Sequence, residues 1–443
     1  MSSDPLSEAR QPASAPIGDL SLLDLEPRTQ LPRLLPDSFG AGPLSLREHL
    51  AKYGPLPAIG GRARPAQEVL AEVELAGLTG RGGAAFPTAR KLAAVATAGP
   101  HPVVVVNGTE GEPASAKDKV LLATAPHLVL DGAEIGARIV GASEVVFVAH
   151  GAVVGAVQEA LSERVAAGLN QLHVTVVPAA DGFVAGEARA VVNWAGMGRP
   201  VPTPSPPRLA KRGLAGRPTL VQNAETLAHL ALIVRRGADW FRAVGTADEP
   251  GSTLVTIIGA VASPGVREVA LGTPVAEVLA LAGGLSQPLQ ALLLGGYFGT
   301  WVRWSEVGDL PFSAAGLAEV KAAPGAGLVA ALPADCCGVT ETARLARYLA
   351  DESAGQCGPC VFGLDAIAAE LVAIASGRDC RLTRLRRWLG QVAGRGACAH
   401  PDGAVRMIRS AIDVFGAELE LHSSGWCCGS RSHVLPLPLR RQP

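Results

Sequence analysis

Cysteine, the residue type best suited to metal and redox chemistry, is confined to one end of the chain. All eight cysteines of the 443 residues lie after position 335, whereas cysteines that fill gaps in a core would be scattered. Cys357 and Cys360 have the C-x2-C spacing that gives two thiolates to one side of a metal centre, and Cys398 follows in GRGACAHPDG. This pattern predicts an iron–sulfur site, with zinc as the main alternative metal.

A glycine-rich loop is the second feature that could bind a ligand. Gly80, Gly82 and Gly83 surround Arg81 in the segment GRGGAAFPT. Backbone N–H groups next to glycine can approach a phosphate closely, and Arg81 or Lys91 could neutralise its charge. An ordinary turn is the alternative for a single loop of this kind.

Three further polar clusters follow predicted strands or open predicted helices. Asn107 ends an apolar run and precedes GTEGEP, Gly186 and Glu187 precede a helical stretch, and QNAET opens another at Gln222. Ligands of open α/β sheets bind beyond the carboxyl ends of strands, so Asn107 stands where a ribityl hydroxyl or a nicotinamide would be met. A plain surface turn is the alternative for each cluster taken alone.

The elements that must position the glycine loops alternate between strands and helices. The fully apolar run at residues 103–106 predicts a buried parallel strand, and the β-branched runs at 144–149 and 172–177 predict two further strands. Residues 65–75 and 153–166 have helical spacing. This alternation predicts an α/β layer architecture.

The second half of the chain has a different pattern of predicted strands and helices. The segment STLVTIIGAVASPGVREVALGTPVAEVLALAGG predicts two short strands and one helix, which is typical of a small α+β module. After residue 333, ETARLARYLADE, LDAIAAELVAIASG and DGAVRMIRSAIDVFGAELELH have apolar residues at three- and four-residue spacing. The cysteines should therefore lie in a helical bundle.

Four loop motifs and the cysteine motif together resemble, in order, the NADH-binding 51 kDa-type subunits of NADH:ubiquinone oxidoreductase and their relatives in soluble hydrogenases and formate dehydrogenases. The chain has GRGGAAFPT for the family's GRGGAGFPT, NGTEGEP for NADEGEP, VAGEA for ICGEE and LVQNAET for TVNNVET. The resemblance extends over residues 75–412 and identifies the chain as a divergent member. It implies a Rossmann-like FMN/NADH domain at 56–248, a β-grasp module at 249–332 and a helical iron–sulfur domain at 333–443. Residues 1–55 contain Pro, Ser and Arg without sustained periodicity and are expected to form a poorly ordered N-terminal segment, the lead-in.

The resemblance also implies which residues bind the cofactors. Phe86 and Glu112 would face the nicotinamide nucleotide, and Arg81 and Glu110 belong to the same predicted cofactor-binding set. The residues that would line FMN are Gly80, Gly82, Gly83, Lys91, Asn107, Gly186, Glu187 and Asn223. Three positions depart from the family: Thr109 replaces Asp, Gln222 replaces Asn, and Ala188 replaces the second Glu of GEE.

The cluster motif of the family is SCGxCxPC with a distant fourth cysteine, and Ala354 stands at its first ligand position. Three explanations are open: Cys336 or Cys337 supplies the fourth thiolate, His400 or water does, or the cluster is lost. The upstream pair is favoured, with Cys337 as the predicted ligand, because the intervening segment is one helix long and could fold back.

Bulk properties exclude several classes of partner. The chain has 39 basic and 40 acidic residues, so neither a nucleic-acid surface nor an electrostatic membrane anchor is expected. No apolar stretch is long enough for a spanning helix, and MSSDPLSEARQPASAP lacks the pattern of a signal peptide. We expect no direct membrane insertion and a cytoplasmic location, where cysteines stay reduced.

The function implied by the resemblance is an electron relay from NADH through FMN to a [4Fe–4S] cluster. Electrons would then pass to a partner, such as a ferredoxin-like or thioredoxin-fold iron–sulfur subunit. The alternative is a non-catalytic flavin- or nucleotide-binding accessory or assembly subunit, for which Ala188 and Ala354 are the main arguments.

Overall fold

The computed structural model describes residues 30–36, 42–60, 63–169, 172–204, 207–378, 382–427, 429 and 432–438. Much of the predicted lead-in, residues 1–29 and 37–41, lies outside this set, as do Cys380 and Cys428. The last part of the lead-in is packed on the protein: helix α1 (Leu46–Tyr53) begins with a capping box of Ser45 and Glu48. His49 of α1 is buried, and its Nε2 lies 2.8 Å from Asp131 Oδ2.

A four-stranded parallel sheet forms the centre of the first half. Its strands are β1 (Val103–Gly108), β2 (Glu144–Ala149), β3 (His173–Pro178) and β4 (Thr219–Asn223). They lie in the spatial order β3-β2-β1-β4. Because the strand order reverses between β1 and β4, a crevice opens at the carboxyl ends of these two strands. The Rossmann-like architecture expected for this half is confirmed.

Helices cover this parallel sheet. Gly132 lets two of them pack closely, since a Cβ at this position would lie 1.9 Å from the carbonyl oxygen of Leu227. The helices are α2 (Ala66–Ala76), α3 (Thr88–Ala96), α4 (Lys117–Thr124), α5 (Pro126–Val140), α6 (Val154–Ala166), α7 (Ala188–Met197), α8 (Ala224–Arg236) and α9 (Ala238–Arg242).

No single helix in the described part of the chain is both long and apolar enough to span a membrane. Helices α4 and α5 meet that criterion only when joined, and they are bent by 97° at their junction.

The second sheet has five strands of mixed direction, as the predicted β-grasp module requires. Strand β5 (Ser252–Gly259) pairs antiparallel with β6 (Gly265–Ala270) and parallel with β9 (Leu328–Pro333). Strand β7 (Leu289–Leu294) lies between β9 and β8 (Thr300–Arg303), antiparallel to both. Short helices accompany the sheet: α10 (Val275–Ala280), α11 (Trp304–Val307) and α12 (Ala314–Leu317).

The cysteine-rich end is a helical bundle, as predicted. A π-helical segment, Pro359–Leu364, carries Cys360 and continues into α14. The bundle's helices are α13 (Gly338–Asp351), α14 (Asp365–Ala375), α15 (Leu382–Val392), α16 (His400–Val414) and α17 (Gly416–Ser423).

Aromatic rings join the three parts of the protein. The ring of Phe183, in the loop before α7, lies 4.7 Å from that of Phe298 and 6.4 Å from that of Tyr297, both in the second sheet's loop. It also meets Tyr348 of α13 at 6.1 Å between centroids. The loop that leads to Gly186 and Glu187 therefore lies where the parallel sheet, the β-grasp module and the bundle meet.

Candidate functional site

The crevice at the carboxyl ends of β1 and β4 brings two predicted ligands together. Asn107 and Asn223 are register partners in adjacent strands. The amide nitrogen of Asn107 donates to the carbonyl of Gly186 at 3.0 Å. Asn223 caps α8, because its Oδ1 accepts from the backbone N–H of Glu225 at 3.0 Å. Both asparagines are thus fixed by local structure at the switch point of the sheet.

The glycine loop forms one wall of this crevice. The N–H of Gly80 donates to the carbonyl of Phe86 at 2.9 Å, which closes the loop. A Cβ at Gly82 would lie 3.4 Å from the Cβ of Asn223, so the backbone runs directly beside that side chain. Gly83 has a φ of 95°, a conformation that residues with a side chain rarely adopt. At its glycine positions the loop therefore faces the crevice with backbone atoms and no side chains.

The guanidinium of Arg81 is bonded to the protein itself. Its guanidinium donates to the carbonyl of Ser252 at 3.1 Å and to the carbonyl and hydroxyl of Thr79 at 3.0 and 2.8 Å. Its backbone N–H donates to Thr226 Oγ1 at 2.9 Å. The side chain thus joins the glycine loop to the first strand of the β-grasp module. Of the two cations predicted to neutralise a phosphate, Arg81 and Lys91, Arg81 is the one whose guanidinium bonds to the protein's own carbonyls.

Lys91 is placed at the end of β4. Its Nζ donates to the carbonyl of Val221 and to Gln222 Oε1, each at 3.2 Å. Burial lowers the pKa of this ammonium group. Lys91 is therefore the cation of the glycine-loop segment that lies against the predicted FMN residues.

The carboxylate of Glu110 is hydrogen-bonded to neighbouring residues and has a structural role. Its backbone has a φ of 48°. Its carboxylate accepts from Ser115 Oγ at 2.6 Å and from the backbone N–H groups of Asp118 and Lys119 at 3.0 and 2.9 Å. These bonds hold the GTEGEP loop on the first turn of α4, so Glu110 shapes the crevice through the loop.

Glu112 projects toward the β-grasp module. Its Oε2 accepts from the backbone N–H of Tyr297 at 3.0 Å, whereas its Oε1 is buried and has no hydrogen-bond partner among the described residues. Burial raises the pKa of this carboxyl to about 8. At neutral pH Glu112 is therefore held mainly as the neutral acid, which can both donate and accept a hydrogen bond.

The substitution Glu112→Gln tests this protonation state. A folded-state pKa above the unfolded one means that stability falls as pH rises from the unfolded value through about 8, since only the unfolded chain releases the proton easily. Glutamine keeps the bond from Tyr297 but does not titrate. Between about pH 6 and about pH 9, we therefore expect the free energy of unfolding to fall by roughly 1–3 kcal/mol less in the variant than in the wild type. Urea unfolding of the FMN-loaded protein measures this. Equal pH profiles for wild type and variant, with exposed Glu277→Gln as the control, would contradict it.

Sequence reasoning missed a buried charge network beside the crevice. Lys117 Nζ lies 2.8 Å from both Asp118 Oδ1 and Glu225 Oε2, and the amide nitrogen of Asn223 donates to Asp118 Oδ2 at 2.6 Å. Burial raises the pKa of Asp118 to about 6 despite the nearby ammonium. For Glu225 burial acts the same way, but Lys117 and His229 outweigh it and lower the pKa to about 2. The only local signal was a cluster of charges in KDKVLLAT next to the GTEGEP loop.

The third motif lies across the crevice from the glycine loop. Glu187 is the N-cap of α7, and its carboxylate accepts from the N–H groups of Arg189 and Ala190 at 2.8 and 3.1 Å. A Cβ at Gly111 would lie 2.8 Å from the carbonyl oxygen of Phe183. The GTEGEP loop can approach the Gly186–Glu187 turn because glycine stands at this point.

Three buried polar atoms at the crevice have no hydrogen-bond partner among the described residues. They are Thr109 Oγ1, directly after β1, Gln222 Nε2 in β4, and Glu112 Oε1. Buried polar groups without partners are costly, so a polar ligand is expected to satisfy them. Together with the glycine loop, Thr109 Oγ1 and Gln222 Nε2 fit the isoalloxazine carbonyls and ribityl hydroxyls of FMN. Glu112 Oε1 remains for the predicted nucleotide ligand. Thr109 and Gln222, two of the departures from the family, are thus members of the candidate site.

The bundle brings the three predicted cysteines of the iron–sulfur motif together. Burial, together with the neighbouring thiols of Cys357 and Cys398, raises the pKa of the Cys360 thiol to about 12. Burial also raises the pKa of Cys398, and the charge of Glu187 acts in the same direction. The group has the donor chemistry of an iron–sulfur site, and it lies within electrostatic reach of the crevice.

Cys337 does not join this group, which corrects the prediction that it is the fourth ligand. Cys337 is the N-cap of α13, whereas His400, two residues after Cys398, bonds to the carbonyl of Leu349 near the other end of that helix at 2.7 Å. About twelve helical residues separate these positions by about 18 Å. The segment that the prediction folds back is a rigid helix. Cys336 is also accounted for elsewhere, with its Sγ 3.2 Å from Ser432 Oγ.

His400 is the non-cysteine alternative that the structure leaves in place. Its Nε2 donates to the carbonyl of Leu349 at 2.7 Å, which leaves the lone pair on Nδ1. That Nδ1 atom is buried and has no partner among the described residues. An imidazole fixed in this way has a nitrogen available for a metal.

Comparison with known proteins identifies three matching regions. Residues 73–232 match the Nuo51 FMN-binding domain, residues 254–296 the SLBB domain, and residues 340–422 the NADH-ubiquinone oxidoreductase-F iron–sulfur binding region. Each region lies within one of the three parts of the fold.

Several curated proteins resemble the chain over most of its length. The NADH-quinone oxidoreductase F subunit of Streptomyces coelicolor is 32% identical, covering 82% of this chain and 84% of the relative. The corresponding Escherichia coli protein is 30% identical, covering 80% and 84%. Among solved structures, an NAD+-reducing [NiFe]-hydrogenase in the H2-reduced state has a TM-score of 0.76 and 31% identity, with 81% of this chain covered. The present chain spans 63% of that hydrogenase chain, less than two thirds.

Proposed function

Because the chain belongs to the family of NADH-quinone oxidoreductase F subunits, we propose that it is the component through which NADH delivers electrons to a larger complex. It has an FMN-binding domain and a [4Fe–4S]-binding region. One observation carries the proposal: the ring of Phe183, three residues before Gly186 of the crevice, lies 5.9 Å from the ring of His400, two residues after Cys398. The two sites are neighbours, as electron transfer between them requires.

FMN, when bound, supplies the chemistry that converts the two-electron donor NADH into a source of single electrons. The chain's residues bind and orient it. Gly82 and Gly83 let the backbone approach, Asn107 and Asn223 are fixed at the strand ends, and Lys91 supplies a cation. We propose these as FMN contacts, together with Gly80, Gly186 and Glu187.

The nicotinamide nucleotide is proposed to bind over the open side of the crevice. Phe86 is 45% exposed there, which is unusual for so large an apolar ring. The Arg90 guanidinium lies 5.7 Å from its ring centroid, so an aromatic face and a cation are available for a base and its phosphates. Glu112, as the neutral acid, is proposed to donate to the nucleotide through Oε1.

The cluster ligands are proposed to be Cys357, Cys360 and Cys398, with His400 in the fourth place. The support is the mutual proximity of the three thiols and the unsatisfied Nδ1 of His400. The accessory-subunit alternative, drawn from Ala188 and Ala354, has no support among the relatives, which are NADH-quinone oxidoreductase subunits.

The proposal is tested by anaerobic titration of the purified holoprotein with NADH. We expect the flavin absorption to bleach and the iron–sulfur absorption to fall in the same titration, since the two sites adjoin. A flavin that dithionite bleaches but NADH does not would contradict the proposal, and so would a cluster that stays oxidised beside a reduced flavin.

The chain is a subunit of a multi-subunit complex, and we propose that its partner carries iron–sulfur clusters in a ferredoxin-like or thioredoxin fold. Val361 and Phe362, directly after Cys360, are 45% and 75% exposed. An apolar surface beside a redox centre is typical of a docking site for an electron carrier. A cytoplasmic location belongs to the same proposal.

Phe362→Ala is expected to raise the Kd for the iron–sulfur partner about tenfold, the effect of losing a central aromatic anchor. Reduction of the flavin by NADH should not change. Calorimetric binding of the purified partner measures the loss, with Leu75→Ala as the control, because Leu75 is 70% exposed on α2. If both variants bind alike, the partner docks elsewhere.

A further inference from the structure

A second cluster of metal-binding side chains lies at the other end of α13 from the Cys357 site. The ligand atoms of Cys337, His422 and Cys427 are all within 4.8 Å of one another. Cys337 precedes α13, His422 is near the end of α17, and Cys427 is in the segment that follows. Three metal-binding side chains from two distant parts of the chain therefore converge on one point.

His422 is oriented as a metal-binding imidazole. Its Nδ1 lies 3.2 Å from the carbonyl oxygen of Ala375, to which it can only donate. This bond fixes the tautomer and leaves a lone pair on Nε2, which lies 3.1 Å from Cys337 Sγ. A backbone carbonyl behind the imidazole is the usual support of a histidine that binds a metal.

Cys337 is placed to act as a thiolate. Its Sγ accepts from the backbone N–H of Thr340 at 3.3 Å and from its hydroxyl at 3.2 Å. It also lies at the N-terminus of a 14-residue helix, where the peptide dipoles favour negative charge and thiolate formation. The side chain is only 1% exposed, and a bound metal ion stabilises a thiolate in such a place.

We propose that Cys337, His422 and Cys427 bind one Zn2+ ion. Ligand atoms of a tetrahedral zinc, at bond lengths of about 2.0–2.3 Å, lie roughly 3.5–4 Å apart, close to the spacing of this cluster. A mixed set of one imidazole nitrogen and two thiols suits zinc, and binding would release the two thiol protons and leave the buried site neutral.

The fourth position of this site faces solvent. Cys427 is exposed and lines a cavity of about 600 Å3 together with Thr340, Arg344, Tyr348 and His433. A water molecule from this cavity would complete the tetrahedron. The ion would tie the end of α17 and the segment after it to the first turn of α13. This role is separate from the proposed electron transfer.

The test is the zinc and iron content of the anaerobically purified holoprotein from zinc-replete cells, measured by mass spectrometry. We expect about one zinc per chain in the wild type and at least a roughly fivefold loss in Cys427→Ser, with iron unchanged. Cys427 is exposed, so this variant does not depend on repacking a core. Cys336→Ser is the matched control, since the Cys336 thiol bonds to Ser432 and its replacement should leave the zinc in place.

The zinc proposal is overturned if the wild type lacks zinc, or if Cys427→Ser retains it. It is also overturned if iron leaves with the zinc, because the cluster would then belong to the iron–sulfur site, or if peptide mapping finds a Cys337–Cys427 disulfide. Cys360→Ser separates the two proposals, since it should lose iron and keep zinc.

Discussion

Cys360→Ser is expected to remove most of the iron and acid-labile sulfide while FMN stays bound and is still reduced by NADH. Cys360 is 3% exposed, its backbone N–H donates to the carbonyl of Cys357 at 3.1 Å, and the thiols of Cys357 and Cys398 raise its pKa. A serine hydroxyl in this place is a poor ligand for iron, so the cluster should not assemble. Electron delivery to the partner should fall by at least about a hundredfold. Iron and sulfide analysis and NADH-dependent reduction of the partner measure the two effects.

The control for this variant is Cys336→Ser, which changes another buried thiol in the same bundle. It should leave iron, sulfide and electron delivery unchanged. Full iron content in Cys360→Ser would show that the three thiols are not the ligands. Loss of FMN together with iron would show that the variant damages the fold, and Cys398→Ser would then replace it, because Cys398 is only half-buried.

The fold could be predicted from the sequence wherever it depends on local pattern. The run at 144–149 is strand β2, and the run at 103–106 is part of β1. Each of these runs is mainly apolar and is bounded by polar or glycine residues. The apolar pattern and the boundary residues were therefore enough to predict both strands. The glycine loop was recognised for the same reason, since bare backbone at Gly82 and Gly83 is a property of the segment itself.

The roles of single side chains could not be predicted in this way, because they depend on contacts between distant positions. Arg81 has the charge of a phosphate ligand, but its guanidinium bonds to Ser252, 171 residues further along the chain. A short intervening segment suggests that Cys337 lies near Cys357. The number of intervening residues limits only the greatest possible distance between two positions, whereas a helix between them holds its two ends far apart.

The same limit explains why the sequence does not mark Cys427 as a ligand. Isolated cysteines are usually small buried side chains, but Cys427 is exposed and meets Cys337 and His422. The packing of α17 against α13 and α14 places these partners beside Cys427. Residue spacing in the sequence does not predict this packing. Pairs of adjacent cysteines at both ends of the helical domain are the only sequence signal.

Lys117→Met should destabilise the α/β domain by about 3–5 kcal/mol, the usual cost of leaving buried carboxylates without their cation. Lys117 is 3% exposed, and its ammonium lies 2.8 Å from both Asp118 and Glu225. Asp118 in turn holds the amide of Asn223 at 2.6 Å, so FMN should be lost with the network. Urea unfolding and the flavin content after gel filtration measure both effects.

Lys119→Met is the matched control, because Lys119 has a 25% exposed side chain and lies 3.7 Å from Glu110. Screened pairs of this kind contribute about 0–1 kcal/mol. The double variant Lys117→Met/Glu225→Gln removes one of the stranded charges and should recover part of the lost stability. If Lys117→Met stays within about 1 kcal/mol of the wild type, the buried ammonium does not hold the crevice together. If the double variant is more stable to urea than Lys117→Met alone, the destabilisation comes from unpaired charge rather than from lost packing.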